Sequence, residues 1–580
     1  MTDSMVIDWD VRIRMDDGLE LSANVYRPAE PGRYPVIMSY GPYGKDLSFQ
    51  EAYAPRWRIL ERDYPDAIAG SSNVHQSWEL LDPEKWVPHG YVIVRVDSRG
   101  AGRSPGVVDS WSPREAQDYA ACIEWAGTQE WSTGKVGLAG VSYYAMNSWQ
   151  VAALNPPHLA AFCSWEGCSD LYREAAYHGG VHNDFLGGWF PRQVESVQYG
   201  TPHSSAVNPV SGLKVTGDVV LSDEELAANR VDIGESILAH PFLDDYWRER
   251  SAALEKITVP VLSAGNWGGH GLHLRGNIGG WAGVSSREKW LEIHGREHWS
   301  LFYADYGQQL QKRFFDWYLK GEGDWAQTQP PVLLQVRKPD DTFEARGEQE
   351  WPLARTEWTR MPLDAASRAL GAADPAPATA GYVPGEGGVT FLAEPFTEDV
   401  EITGPLAARL WISSETTDTD LFLVLHAYDA EGNELLFRGA GDPWQPAAQG
   451  WLRASHRALD PRSTPWQPWH PHDKAEPLVP GEPTAVDVEI WPTSLLLPAG
   501  SRIGLSVQGA DFDHGLPDEV LTSGERLTWS AMTTRGSGPY VHRNERARPR
   551  DIYGGAVTIH TGGDHESWLL VPFIPAGGAA

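Results

Sequence analysis

The run Lys135 to Ala145, KVGLAGVSYYA, constrains this chain more than any other segment. A short apolar strand, Val136 to Ala139, enters a corner of small residues, Gly140-Val141-Ser142, and a helix is predicted from about Ala145 to Leu154. A serine at the apex of strand, tight turn and helix has a strained backbone and a hydroxyl raised above the sheet, the nucleophile elbow of an α/β-hydrolase. The usual elbow reads G-x-S-x-G. Here Tyr144 takes the last position, with the small Ala145 one residue later.

At 580 residues the chain is too long for one core, so about two or three domains are expected. The formal charge of −31 argues against nucleic acid or an anionic membrane as partner. Three cysteines give no disulfide framework, which fits a reducing compartment. The N-terminal stretch MTDSMVIDWD lacks the basic and apolar regions of a signal peptide. No apolar run approaches the roughly 20 residues that span a bilayer. A soluble, cytoplasmic protein is expected.

Along the chain, hydrolase grammar comes first. A hairpin turns at Asp16-Asp17-Gly18, buried strands follow at 34–40 and 91–97, and a helix is predicted from Pro113 to Thr128 behind the N-cap Ser112. A strand at 158–165 follows the elbow. Strands alternating with helices mean a doubly wound, mainly parallel sheet. Residues 166–258 break the pattern and read as a helical cap over the pocket, including a helix-like stretch from Ser222 to Ala252. The sheet returns at 259–265 and 289–295, and a helix at 308–320 closes the domain. Beyond Gly321 short alternating runs, beginning with PVLLQVRK, predict an all-β sandwich or jelly roll. Residues 369–388 read as a loop or arm. The expected division is a catalytic domain at 1–165 and 259–325, a cap at 166–258 and a jelly roll at 326–580.

A serine nucleophile needs a histidine base and an acid to fix its tautomer, in chain order Ser, acid, His. His298 follows the last predicted hydrolase strand and suits the base; His294 lies within the strand and reads as structural. The oxyanion requires donors. The backbone amide of Tyr143 and the phenol of Tyr43, at the carboxyl end of a central strand, are the candidates. Trp165, Trp189 and Trp267, with His270 nearby, are expected to line an apolar acyl pocket. His178 and His182 are spaced like metal ligands on a helix, but Gly179 and Gly180 between them argue against one, so no metal or cofactor is expected. The Gly100–Gly106 segment has the wrong spacing for a dinucleotide fingerprint. Asp418 and Asp420 read as a turn into a strand.

The segments GPYGK, RVDSRGAGRSPG, GVSYYA, HPFLDDYW, RFFDWYLKG, DTDLFLVL and GWLRASHR, spanning nearly the whole chain in order, resemble the cocaine-esterase and X-prolyl dipeptidyl-peptidase family, which includes cephalosporin acylases and α-amino-acid ester hydrolases. The resemblance implies an α/β-hydrolase domain, a helical cap and a C-terminal jelly roll. It implies Ser142 as nucleophile, His298 as base, and Tyr43 with the Tyr143 amide as oxyanion hole. It also allows a homo-oligomer. One departure stands out. Family members place the triad Asp within a G-W-x-D-like sequence, where this chain reads GNWGGHGLHLRGN with Gly268 at that position. The end of the preceding strand offers Glu166, with Asp170 as runner-up and Asn266 behind both. The expected function is a serine hydrolase cleaving a small ester or amide, with an apolar or aromatic acyl group, through an acyl-enzyme. Two alternatives stand beside it. One is an X-prolyl or aminoacyl dipeptidyl-peptidase using Glu166 and Asp170 to hold the substrate ammonium. The other is an inactive binding protein with a carbohydrate-binding jelly roll.

Overall fold

The computed structural model describes residues 5–515 and 536–575. Its first half is built on nine strands: β1 (Met5–Arg14), β2 (Glu20–Pro28), β3 (Tyr34–Gly41), β4 (Val92–Asp97), β5 (Ser132–Val141), β6 (Leu159–Trp165), β7 (Val261–Asn266), β8 (Lys289–His294) and β9 (Val332–Arg337). They pair in the order 1-2-4-3-5-6-7-8-9. The two pairings of β2 are antiparallel, and all the others in that series are parallel. This is the α/β-hydrolase sheet. β4 is buried along its whole length and β3 along all but its first residue, because helices cover both faces of such a sheet and leave little room for polar alternation.

Two helices frame the elbow. Pro113–Gly127 starts behind Ser112, whose side chain accepts the Glu115 amide as the N-cap reading requires. The helix after Ser142 begins earlier than expected and spans Tyr143–Ala152.

The helix-like stretch from Ser222 to Ala252 resolves into three short helices, Asp223–Ala228, Ile233–Ala239 and Asp245–Arg250. Ser222 and Asp232 each cap a new start, and the Pro241 segment separates the last two, so local capping outweighs helical periodicity. The run PVLLQVRK forms β9 at the start of the stretch expected to be all-β. Its strand β9 extends the hydrolase sheet beside β8, because an apolar strand of this kind buries more surface there than at an exposed edge.

Strand β9 also joins the two halves. Arg337, 1% exposed, ends it, pairs in register with Leu495, and donates to the carbonyls of Ser494 and Ala447 and to Thr493 Oγ1. Beyond it the described residues are mostly β and mostly antiparallel, with one short α-helix at Arg550–Tyr553. The long strand Val400–Ser414 pairs with Thr484–Leu497, Val557–Thr561 and Trp568–Ile574. Asp420–Tyr428 pairs with Ala448–Arg453 and Arg502–Gln508. Alternate residues such as Leu410, Leu423, Val488 and Leu505 form a second core, separate from that of the hydrolase sheet. The expected arm at 369–388 contains a true strand, Ala378–Tyr382, paired with Val557–Thr561.

Replacing Arg337 by Ala should leave buried carbonyls without donors at the junction of the halves. The expected cost is about 1–3 kcal/mol, read as a lower urea midpoint.

Candidate active site

Ser142 sits between β5 and its helix with φ 59° and ψ −113°, a left-handed conformation that costs a non-glycine residue energy and marks a site the fold holds deliberately. Its amide is shared between the carbonyls of Trp165 and Glu166, both at 3.1 Å, so the elbow is tied to the end of β6. Gly140 is required by close approach: a Cβ there would lie 2.4 Å from Cβ of Tyr144.

Glu166 ends β6, also with positive φ (50°), and is fully buried. Three donors converge on its carboxylate: His298 Nδ1 at 2.8 Å, His294 Nε2 at 3.3 Å and Asn266 Nδ2 at 3.1 Å. Burial pushes its carboxyl up, but the His298 charge and the histidine hydrogen bonds outweigh it and bring it to about 2. His298 is desolvated too, which favours its neutral form, yet Glu166 and then Glu79 lift it to about 9. His294 bridges Glu166 and Glu292, whose Oε2 lies 2.7 Å from its Nδ1. The result is a buried row in which carboxylates and histidines alternate: Glu292, His294, Glu166, His298, Glu79.

The remaining candidates fall elsewhere. Asp170 is bound by Arg173, with 2.5 Å between Oδ2 and Nη1, and does not join the histidines. Asn266 serves as a donor to Glu166 and to the carbonyl of Arg296. Of the expected pocket residues only Trp189 lines the cavity. Trp165 is buried against His294 and Phe302. Trp267 donates from Nε1 to the Gln335 carbonyl, and the Nδ1 of His270 accepts the Gln449 amide, both in the seam with the second half of the chain. The Trp267 loop turns toward that seam and away from Ser142. His178 and His182 end two-residue strands rather than sharing a helix.

Sequence reasoning missed two polar residues. The first is His273, whose Nε2 lies within hydrogen-bond distance of Ser142 Oγ, at 3.2 Å. Nδ1 of His273 faces Cys168 Sγ at 3.5 Å, and the Cys168 thiol donates to the Leu272 carbonyl. Burial, reinforced by the charge on His298, holds His273 well below the usual histidine range, so it is neutral. Its ring stacks on that of His298, with centroids 5.1 Å apart and planes at 16°. The second is Glu79, with Oε1 2.9 Å from His298 Nε2. Glu79, one acid among 78, lies in a loop without a motif, so spacing gave no signal for it, whereas His273 lies within GNWGGHGLHLRGN, and its place in that loop after β7 was the signal that could have found it.

A small cavity opens over Ser142, His298 and Glu79. Its walls are Trp78, Trp111, Trp189, Trp299 and Tyr540, and Ala440 and Gly441 come from the C-terminal half. Tyr43 also lines it and accepts from Trp189 Nε1 at 3.1 Å. Its own hydroxyl proton has no acceptor among the described residues, which leaves a donor aimed into the cavity. The Tyr143 phenol is taken by Glu115 at 2.7 Å, so what this residue can offer a substrate is its main-chain amide.

Gly268 leaves no room for an acidic side chain. A Cβ on Gly268 would lie 2.2 Å from Cα of Gly439 and 3.0 Å from the Ala440 nitrogen. Ala440 in turn donates to the Gly268 carbonyl and accepts from the His298 amide. Backbone from the C-terminal half fills the place of an acidic side chain.

Residues 17–300 match the family described as X-Pro dipeptidyl-peptidase (S15 family), and residues 324–569 match the X-Pro dipeptidyl-peptidase C-terminal non-catalytic domain. A solved CocE/NonD family hydrolase from Staphylococcus aureus is 33% identical, covering 98% of this chain and 94% of its own, with a TM-score of 0.83. The chain belongs to the cocaine-esterase and X-Pro dipeptidyl-peptidase family. Cocaine esterase from Rhodococcus sp. is 27% identical over 71% of this chain and 78% of that enzyme. An α-amino acid ester hydrolase, 17% identical with a TM-score of 0.69, shares the fold. As a member of this family the protein is a serine hydrolase acting on ester or amide bonds.

Gly268→Asp, which restores the family's usual acid, should damage this protein instead. Overpacking against backbone is expected to cost about 1–3 kcal/mol or more. A lower melting temperature with no gain in esterase activity is the expected result.

Proposed function

We propose that Ser142 attacks the carbonyl of a small ester or amide to form an acyl-enzyme, with His298 as base and Glu166 as the acid of the triad. The 2.8 Å contact between Glu166 and His298 Nδ1, beside a serine held at positive φ, carries this reading. Glu166 fixes the ring and stabilises the imidazolium as the serine proton arrives. The oxyanion is received by the Tyr43 hydroxyl and the Tyr143 amide, which opens the helix after the elbow.

His273 is the nearer ring in the resting arrangement, yet it is the poorer base. Its Nδ1 is backed by a thiol and not by a carboxylate, and a second positive charge stacked on His298 would be repelled. We therefore assign it the holding of Ser142 at rest, and the serine hydroxyl turns to His298 to react.

The aromatic walls support an apolar or aromatic acyl or leaving group. A dipeptidyl-peptidase would need free acids for the substrate ammonium. Asp170 is engaged by Arg173 and Glu166 by three donors, which favours the esterase or acylase reading. The antiparallel pairing beyond β9 supports a jelly roll, and the supply of Ala440, Gly441 and Tyr540 to the cavity supports a role for it as a wall of the site rather than as a carbohydrate module. With β9 counted in the hydrolase sheet, the division into catalytic domain, cap at 166–258 and C-terminal domain remains our reading. Among the described residues no helix is long and apolar enough to cross a membrane, and Cys122, Cys163 and Cys168 are buried and unpaired, which supports a cytoplasmic setting.

A fluorophosphonate probe should label Ser142 stoichiometrically, located by peptide mass spectrometry, and Ser142→Ala should abolish both labelling and turnover. Absence of label on the native protein would overturn the assignment.

The base must be neutral to act, and its folded pKa is about 9, so kcat/KM should climb with pH and level off only above that value. Glu166→Gln should lower kcat by on the order of 10³–10⁴ with the fold intact by circular dichroism.

A further inference from the structure

Tyr43 lines the cavity of Ser142, and the side chain bonded to its hydroxyl is one that cannot accept a proton. Trp189 Nε1 donates to Tyr43 Oη and to Gln193 Oε1, both at 3.1 Å. An indole nitrogen is a donor only, so the phenol oxygen accepts from Trp189 and its own hydrogen must point elsewhere. Among the described residues no group takes that hydrogen. Tyr143, in the same cluster of rings, shows the opposite case: its phenol hydrogen is held by the Glu115 carboxylate at 2.7 Å. The chemistry of the partner decides whether the hydrogen is used or left for a ligand.

The two groups come from different parts of the fold. Tyr43 lies in the turn after β3, where Gly44 has φ +72° and the Lys45 amide and Nζ donate to the two carboxylate oxygens of Asp97, the last residue of β4. Trp189 lies in the helix Phe185–Gln193, inside the segment read as the cap, which packs so closely on the helix Ile233–Ala239 that a Cβ on Gly234 would lie 3.3 Å from Cα of Gly187. Its indole stacks on the rings of Trp111 and Tyr143, with centroids 5.3 and 5.9 Å apart. The Tyr43 ring meets those of Tyr143, Tyr144 and Trp189 edge to face, at 5.8, 5.6 and 6.2 Å, so neither ring has room to turn. Burial, reinforced by the charge of Glu79, drives the Tyr43 hydroxyl well above the usual phenol range, and the Trp189 bond opposes that rise. A donor on the phenol oxygen disperses charge as the hydrogen is drawn away, so the bond that aims the hydrogen also makes it a better donor.

We propose that Trp189 is a positioning residue whose indole N–H orients the Tyr43 hydroxyl toward the developing oxyanion, so that the cap helix completes the oxyanion hole. The proposal rests on the reading of Tyr43 as an oxyanion donor given above. No bond is made or broken at Trp189. As Ser142 Oγ adds to the carbonyl carbon, negative charge builds on the carbonyl oxygen, and a hydrogen already aimed there receives it without reorganisation. Removing the indole N–H also strips Gln193 Oε1 of its donor, which offers the phenol hydrogen a competing acceptor beside it.

The test is a double-mutant cycle on the full-length protein, read as kcat/KM for p-nitrophenyl butyrate. Tyr43→Phe should lose on the order of 10²–10³, as for other oxyanion donors. Trp189→Phe keeps an aromatic wall and removes the N–H, and should lose on the order of 10–10². The double variant should match Tyr43→Phe within about twofold, because Trp189 acts through the hydroxyl that is already gone. Trp189 replaced by benzothienylalanine, a bicyclic isostere with sulfur in place of the N–H, should lose activity as Trp189→Phe does, and it carries the cycle if the Phe variant does not fold. Butylboronic acid, which places a tetrahedral anion on Ser142, should bind Trp189→Phe more weakly by the factor lost in kcat/KM. Additive losses in the cycle, full activity of the benzothienylalanine protein, or unchanged boronate affinity would overturn the proposal and leave Tyr43 in its role. Full activity of Tyr43→Phe would instead remove the oxyanion reading on which it stands.

Discussion

The site depends on one carboxylate kept ionised where no water reaches it. Glu166 is fully buried, and an isolated anion there would take up a proton. It stays charged because His298, His294 and Asn266 all point hydrogens at it. Each donor comes from the carboxyl end of β7 or β8 or just beyond, so the charge is stable only when β6, β7 and β8 lie side by side. The sheet order, the positive φ at Glu166 and the cation on His298 are thus parts of one electrostatic arrangement.

The second half of the chain belongs to that arrangement. Strand β9 continues the hydrolase sheet and hands it to the C-terminal domain through Arg337. The Gly439–Ala440 backbone occupies the space beside Gly268, holds the His298 amide and lines the cavity. An acid on the loop after β7 and a backbone segment in that position exclude one another sterically. This chain has the backbone, and the carboxylate that meets His298 is Glu166, directly after β6.

How far the site could be read from sequence varies residue by residue. Ser142 was legible because a strand, a small corner and a helix are local. His298 was legible from its position after β8, and Glu166 from the gap at Gly268 together with the order of parallel strands. Trp165 and Trp267 misled because tryptophans at strand ends face whichever side the packing needs, and here that is the core and the inter-domain seam. The helix-like stretch over 222–252 was legible as helical, and capping residues at Ser222 and Asp232 divide it into separate helices.

By itself the sequence determined the alternation of strands and helices, the mostly β second half and the strand-turn-helix corner that carries Ser142. These follow from periodicity and turn chemistry within a few residues of each position. Only the tertiary structure decided which groups stand around the nucleophile. His273 reaches Ser142 across 131 positions, and Glu79 reaches His298 across 219. Hydrogen bonds and charge act through a few ångströms of space, and no spacing along the chain records which loops the sheet will bring within that distance.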